Sequence, residues 1–347
     1  MTRRIFILLA ALTIAATTAG QTKRMAVTAL SENMMRNTSD YESALETQAL
    51  MGTIVEIVAE QGYWRQVVTP EPYTAWCTDL GLVEMTQEEL DQYKAAPKYI
   101  CTSHHSGVYA SQSKKAKRIS DLSMGCLVRV AFTESKSPKP SVKSKWAEVV
   151  LPDGRKGWTP LEDLAEFEKW AGKQSLTQDH IINTALQFEG TPYLWGGASS
   201  KGLDCSGLVR LTFFMNGYLL PRNASQQINY GREIVMEANH AITPDKGDAF
   251  KDEMIRRTKH IQKGDLVFFG TPDTFLKKGK ITHVGLYIGD GKIIHASHKV
   301  RINSLIPGEP DYYENSHKLV AARRFISYQG KGLTPILQSP AYSSEVR

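Results

Sequence analysis

The chain has 347 residues, a formal net charge of +6 and 41% hydrophobic residues. That apolar content is enough for two or three packed cores and excludes a disordered chain; the modest positive charge, with no basic motif beside it, excludes a dedicated nucleic-acid binder. The cysteines (Cys77, Cys101, Cys126, Cys205) and the pair His104-His105 stand at no metal-ligand spacing, so neither metal nor cofactor is expected.

Residues 1–20, MTRRIFILLAALTIAATTAG, have two arginines, an apolar core and a small-residue end. This is the pattern of a secretory signal peptide, with cleavage expected near Gly20-Gln21. Losing Arg3 and Arg4 leaves a charge of about +4. The expectation is an exported protein, periplasmic or secreted, with no stable membrane insertion after cleavage.

Residues 28–165 carry a diverged internal repeat. Trp64-Arg-Gln-Val-Val-Thr-Pro70 with Trp76 matches Trp146-Ala-Glu-Val-Val-Leu-Pro152 with Trp158, at one constant offset that also carries Leu82 onto Leu164. Upstream, Met51-Gly52 matches Met124-Gly125, and the second copy is stretched by residues 135–145. Short alternating strands separated by turns predict two small β-barrels, over 28–85 and 100–168, with the tryptophans in their cores. Between them, over 86–99, Thr86 and Glu89 form a capping box for a short helix. Tyr73, in the turn before Trp76, falls opposite Arg155 of the second copy and so is not a repeated feature.

A capped helix is predicted from Thr177, with Ile181, Ala185 and Phe188 on one side. Then comes TPYLWGGASSKGLDCSG, residues 191–207, followed by an apolar helical run containing Leu208, Leu211 and Met215. Asp204 is a good N-cap, which puts Cys205 in the first turn. There the free N–H groups and the helix dipole favour a thiolate, with a pKa below the ordinary ~8.5. With Cys205 set aside as a reactive thiol, the other three cysteines allow at most one disulfide.

The stretch 281–298, ITHVGLYIGDGKIIHASH, reads as a hairpin. A three-residue loop, Gly289-Asp290-Gly291, opposes Tyr287 to Ile293 and Gly285 to His295. It puts His283, Gly285, Tyr287, Ile293, His295 and Ser297 on one face, with an apolar set behind. A two-residue loop would separate the histidines, and the apolar grouping favours the longer one. Leu220–Ile228 begins a second helix, and the plain reading of Ser225 there is a cap. Gln262–Phe269 is a buried strand, and 300–305 and 319–326 close the sheet. Residues 235–260 are either a flap beside the groove or a solvated excursion, the latter favoured. The Gly/Pro/Ser-rich residues 327–347 are expected to form a flexible tail.

The sequence DCSG after Y-x-WGG, followed by HVGLYIGDGKIIHAS, resembles the NlpC family of papain-like cell-wall cysteine peptidases over about 177–326. The repeat ahead of it is similar to the bacterial SH3-like domains that often precede such peptidases. The resemblance implies an α+β chain: a papain-like catalytic domain preceded by two small all-β SH3-like barrels. It implies Cys205 as nucleophile, His283 as general base, and His295 as the group orienting His283, with neutral His295 accepting from His283. Tyr193 would donate to the oxyanion beside the Cys205 N–H, while Asp204 and Ser206 would contact the peptide. Trp195 would either wall the groove or pack under the Gly-Gly loop, and Ser225, in a segment similar to the one that follows the family's catalytic helix, would be a substrate ligand if it is not simply a cap. Tyr73 would reach in from the first barrel to help hold the substrate's N-terminus. Ala44 stands where relatives place an acidic residue for the substrate ammonium, leaving Glu42 or Glu46 as substitutes.

The reaction implied is hydrolysis of the γ-D-glutamyl–diamino acid bond in peptidoglycan stem peptides with a free N-terminal L-alanine, by a monomer, through a thioester. The alternatives are an N-acetylmuramoyl-L-alanine amidase or acyltransferase on the same frame, or a non-catalytic wall-binding protein.

Overall fold

The computed structural model describes residues 23–131, 145–237, 247–272 and 277–344. The expected signal peptide and most of the 135–145 stretch lie outside them.

The internal repeat is a repeat of topology. Each copy is a seven-stranded antiparallel sheet, and numbering the strands within each copy gives the same order, 3-2-6-5-4-1-7, in both. The matched segments Trp64–Val68 and Trp146–Val150 occupy the same place in their sheets. Only Trp64 among the four repeated tryptophans is fully buried. In Thr74–Thr78 the inward positions belong to Ala75 and Cys77, so the alternation of the strand turns Trp76 toward the outside. The helix Gln87–Ala95 between the barrels has the predicted capping box on Thr86 and Glu89. The cysteines are all free and buried.

The portion after the two barrels is α+β. A six-stranded antiparallel sheet runs Arg232–Glu233, Leu319–Arg324, Leu266–Thr271, Lys280–Gly289, Lys292–Ser297, Lys299–Ser304 in spatial order. The helix Cys205–Phe214 is buried along its whole length and shares a core with Val284, Leu286, Ile294 and Ala296. Tyr287 and Ile293 belong to a second core, with Val267, Phe269 and Tyr313.

Two expectations are overturned by that packing. The favoured solvated excursion at 235–260 contains the helix Asp248–Thr258, whose Phe250 and Met254, four residues apart, close the second core together with Met236. The expected loose tail is a strap: Thr334–Pro335 pairs with Tyr218–Leu219, and Ile336 is 1% exposed. Tyr342 is buried against Phe167 and Phe214, with its hydroxyl 3.3 Å from Thr53 in the first barrel. A few large apolar anchors outweigh the loop-like composition around them.

Both barrels are tied to the α+β portion. The guanidinium of Arg210, on the helix Cys205–Phe214, bonds to the buried carboxylate of Glu71 in the first barrel. Lys201 donates to Ser31 and Glu32 of the first barrel and to Asp121 of the second. The strand Leu45–Leu50 lies against the loop before Cys205, where Gln48 Oε1 accepts from Ala198 N at 2.8 Å. Gly196 permits that approach: it sits at φ 75°, and a Cβ there would stand 2.5 Å from Leu45 O.

Candidate active site

Asp204 caps the helix Cys205–Phe214 as its side chain accepts from Gly207 N at 2.7 Å, which makes Cys205 the first helical residue. The Cys205 N–H has no acceptor among the described residues, as expected of the first turn of a helix. The thiol is 9% exposed and meets the backbone N–H groups of Val284 and Ser206. Its acidity departs from expectation. Burial, and next the charge of Asp204, push the thiol up to about 11 against the pull of those N–H groups. The cap that starts the helix also takes up one of its free N–H groups and puts a negative charge beside the sulfur, so the resting group is a thiol.

The hairpin brings the two histidines to one face by a different route from the one expected. Leu286 pairs with Ile294 and Tyr287 with Ile293, but Lys292 is opposed by Gly289 rather than Ile288. The turn is therefore two residues, Asp290-Gly291, both at positive φ (52° and 69°). Ile288 is an extra residue in a bulge. The bulge shifts the register by one and cancels the exchange of faces that a two-residue turn alone would cause. Gly285 leaves the space between: a Cβ on it would sit 3.3 Å from His295 Cβ.

His283 Nε2 and His295 Nδ1 are 2.7 Å apart, and His295 Nε2 is 2.9 Å from Asn303 Oδ1. Tyr313 packs on both imidazoles, with ring centroids 5.9 Å and 4.7 Å away. Burial, then the neighbouring His295, lower His283 to about 3; burial, with Arg301 opposite on the next strand, lowers His295 to about 4, against the bond to Asn303. Both rings are neutral at ordinary pH. Among the described residues no hydrogen bond joins Cys205 to His283; the sulfur stands at the N–H of Val284, the next residue along the strand.

The flanking residues turn inward. Arg222, 1% exposed, donates from Nη1 and Nη2 to the two Asp204 oxygens (3.1 and 2.6 Å), from Nη1 to Ser206 Oγ (3.0 Å) and from Nε to Thr47 Oγ1 in the first barrel (2.7 Å). Ser206 Oγ also donates to Asp204 Oδ1 at 3.1 Å. Asp204 and Ser206 thus build the floor beneath Cys205. Tyr193 lies close enough to Cys205 and Asp204 that, after burial, their charges help push its phenol up to about 12.

Tyr73 arrives from the first barrel and donates to Glu46 Oε2 at 2.5 Å. Its hydroxyl also meets Asn223, and it lies in the field of Arg222. Glu42 is exposed, and among the described residues its carboxylate makes no hydrogen bond, while its backbone N–H donates to Asp40. Ser225 is exposed, and the cap of its one-turn helix Ala224–Gln227 is Asn223 rather than Ser225. Trp195 is 66% exposed at the rim and does not pack under the Gly-Gly loop.

Sequence reasoning missed Arg222, Thr47, Asn303 and Tyr313. A signal existed for two of them. Arg222 is a lone charge after Leu219-Leu220-Pro221, and Asn303 lies two positions beyond the cross-strand partner of His295.

The chain matches the model of the NlpC/P60 family over residues 190–318. It is 30% identical over 291 residues to a γ-D-glutamyl-L-lysine dipeptidyl-peptidase of Bacillus cereus, covering 81% of this chain and 75% of that one. It is 25% identical over 288 residues to dipeptidyl-peptidase 6 of Lysinibacillus sphaericus, covering 82% and 92%. Among solved structures, an NlpC/P60 family protein from Bacillus cereus superposes with a TM-score of 0.63 at 24% identity, over 87% of this chain and 99% of the other.

Proposed function

The chain belongs to the NlpC/P60 family and is a cysteine peptidase acting on peptidoglycan peptides; we propose that, as an exported enzyme, it hydrolyses the γ-D-glutamyl–diamino acid bond of stem peptides bearing a free N-terminal L-alanine. In this reading Cys205 Sγ attacks the γ-carbonyl while His283 Nδ1 takes the thiol proton. The tetrahedral oxyanion is met by the Cys205 N–H and the Tyr193 hydroxyl. The imidazolium keeps its Nε2–H on His295, then gives its new proton to the leaving amine as the C–N bond breaks. A water deprotonated by the same imidazole attacks the thioester, and Cys205 leaves as the thiol.

The observation that carries the choice of bond is the Tyr73–Glu46 pair. It is an acceptor-bearing pair supplied by the first barrel beside Asn223 and Arg222, on the floor that supports Cys205. A carboxylate there suits an ammonium, which would be costly to enclose unpaired. The relatives named γ-D-glutamyl-L-lysine dipeptidyl-peptidases support the same bond.

Mass spectrometry of the products from a synthetic L-Ala-γ-D-Glu-diamino acid tripeptide tests the reading. Release of L-Ala-γ-D-Glu is expected. Cleavage only at a lactyl–L-alanine bond of muropeptides would replace it with the amidase. Tyr73→Phe, which removes the donor to Glu46, is expected to raise KM on the tripeptide several-fold, ~1 kcal/mol for one hydrogen bond. The rate of Cys205 alkylation should not change. Unchanged KM would remove Tyr73 from substrate binding.

A further inference from the structure

The hydrogen bonds behind His283 continue past His295 and end on the backbone. Asn303 Nδ2 donates to Asp311 O at 2.7 Å. A carbonyl oxygen only accepts, so the amide nitrogen must face it, and Oδ1 must be the atom 2.9 Å from His295 Nε2. Oδ1 also only accepts, so His295 carries its proton on Nε2. The ring is neutral, which leaves Nδ1 as a lone pair, and His283 Nε2, 2.7 Å away, must be the donor to it. His283 is neutral as well, so its Nδ1 is left unprotonated.

We propose that Asn303 is a positioning residue that sets the base through His295, by fixing one tautomer in each of two successive imidazoles so that the free lone pair of His283 lies on Nδ1. The inference rests on the reading of His283 as general base. His295 alone cannot make this choice. A neutral imidazole can donate from either nitrogen, and the opposite tautomer of His295 would donate from Nδ1 to His283 Nε2, forcing the His283 proton onto Nδ1 and removing the base. Asn303 is 8% exposed and His295 is fully buried, so water does not compete for the bond. The strand pairing that opposes His295 to Arg301 puts Asn303 two residues further on the same face, within reach of the ring. The carbonyl of Asp311 holds the amide from flipping.

The test separates an acceptor toward His295 from a donor toward Asp311. Asn303→Leu keeps the volume and removes both. Asn303→Asp keeps an oxygen for His295 and, when ionised, loses the donor to Asp311. A relay predicts that Asn303→Leu lowers kcat by at least ~10-fold with KM unchanged, since a misplaced tautomer can cost orders of magnitude, and that Asn303→Asp recovers most of the loss. A merely structural pin on the Asp311 backbone predicts that the two variants fall together, and that result overturns the inference, as does wild-type kcat in Asn303→Leu.

Imidazole 15N spectra of the wild-type enzyme provide a readout independent of variant folding. Protons on Nε2 of both His283 and His295 are expected, and a proton on His295 Nδ1 overturns the inference. Cleavage that survives His283→Ala would remove the base itself, and the role of Asn303 with it. Loss in His283→Ala with full kcat in Asn303→Leu removes only the role of Asn303.

Discussion

Arg222→Met is expected to destabilise the protein by about 3–5 kcal/mol, the cost of breaking a buried ion pair from one side. Arg222 is 1% exposed, and its guanidinium covers both oxygens of Asp204, itself 8% exposed. Methionine fills similar space and leaves the carboxylate with the Gly196 and Gly207 N–H groups and the Ser206 hydroxyl as partners. The same change cuts the bond to Thr47, so the first barrel loses a tie to the floor of the site. The denaturant midpoint should fall accordingly, and kcat/KM should fall with it, because Asp204 caps the helix that presents Cys205. Asp204→Asn in the Arg222→Met background should recover part of the stability by removing the uncompensated charge. A midpoint within about 1 kcal/mol of wild type would show that the pair does not hold the floor together.

The second large effect is on stability against pH. His283 and His295 are held neutral, at about 3 and about 4, whereas an unfolded histidine titrates near 6.5. The unfolded chain therefore binds protons that the folded one refuses, so stability contributed by the pair is complete above pH ~6.5 and is lost as pH falls toward 4 and 3. Between pH 6.5 and 4.5 the two together should contribute a loss of about 5 kcal/mol. Urea midpoints of the wild type and of a His283→Gln, His295→Gln double variant at both pH values isolate this part, since carboxylate titration is common to both proteins. The variant should lose less stability by about that amount. Parallel loss in the two proteins would mean that the rings are charged in the fold.

Several features of this site were legible in the sequence because each rests on a local rule. The repeat in 28–165 fixed two barrels of one topology, and Asp204 marked the start of a helix with Cys205 at its tip. Alternation in the hairpin put His283 and His295 on a common face, although the turn is shorter than that pattern suggested and a bulge at Ile288 makes up the difference. A bulge leaves no signature in periodicity, since it trades one residue of loop for one of strand.

What stayed hidden depends on partners far along the chain. Phe250 and Met254 look like isolated apolar residues in a charged segment until the sheet supplies Val267, Phe269 and Ile293 to cover. Tyr342 anchors the strap because the first barrel offers Thr53 and the catalytic portion offers Phe214. Arg222 joins Thr47 to Asp204 across 175 residues of sequence at one end. The acidity of Cys205 departs from expectation for a related reason: helix position favours the thiolate, but burial and the charge of Asp204 weigh more.

The central claim is that a peptidase thiol is served by a base on one side and by an amine-reading carboxylate from a separate barrel on the other. It is tested most directly by kcat/KM for L-Ala-γ-D-Glu-diamino acid and for its N-acetylated form, in the wild type and in Glu46→Gln. The free amine should be preferred by at least ~30-fold in the wild type, about 2 kcal/mol for a charge pair in a closed groove. That preference should collapse in Glu46→Gln while Cys205 alkylation is unchanged. Equal cleavage of both peptides by the wild type, or a preference that survives Glu46→Gln, would contradict it.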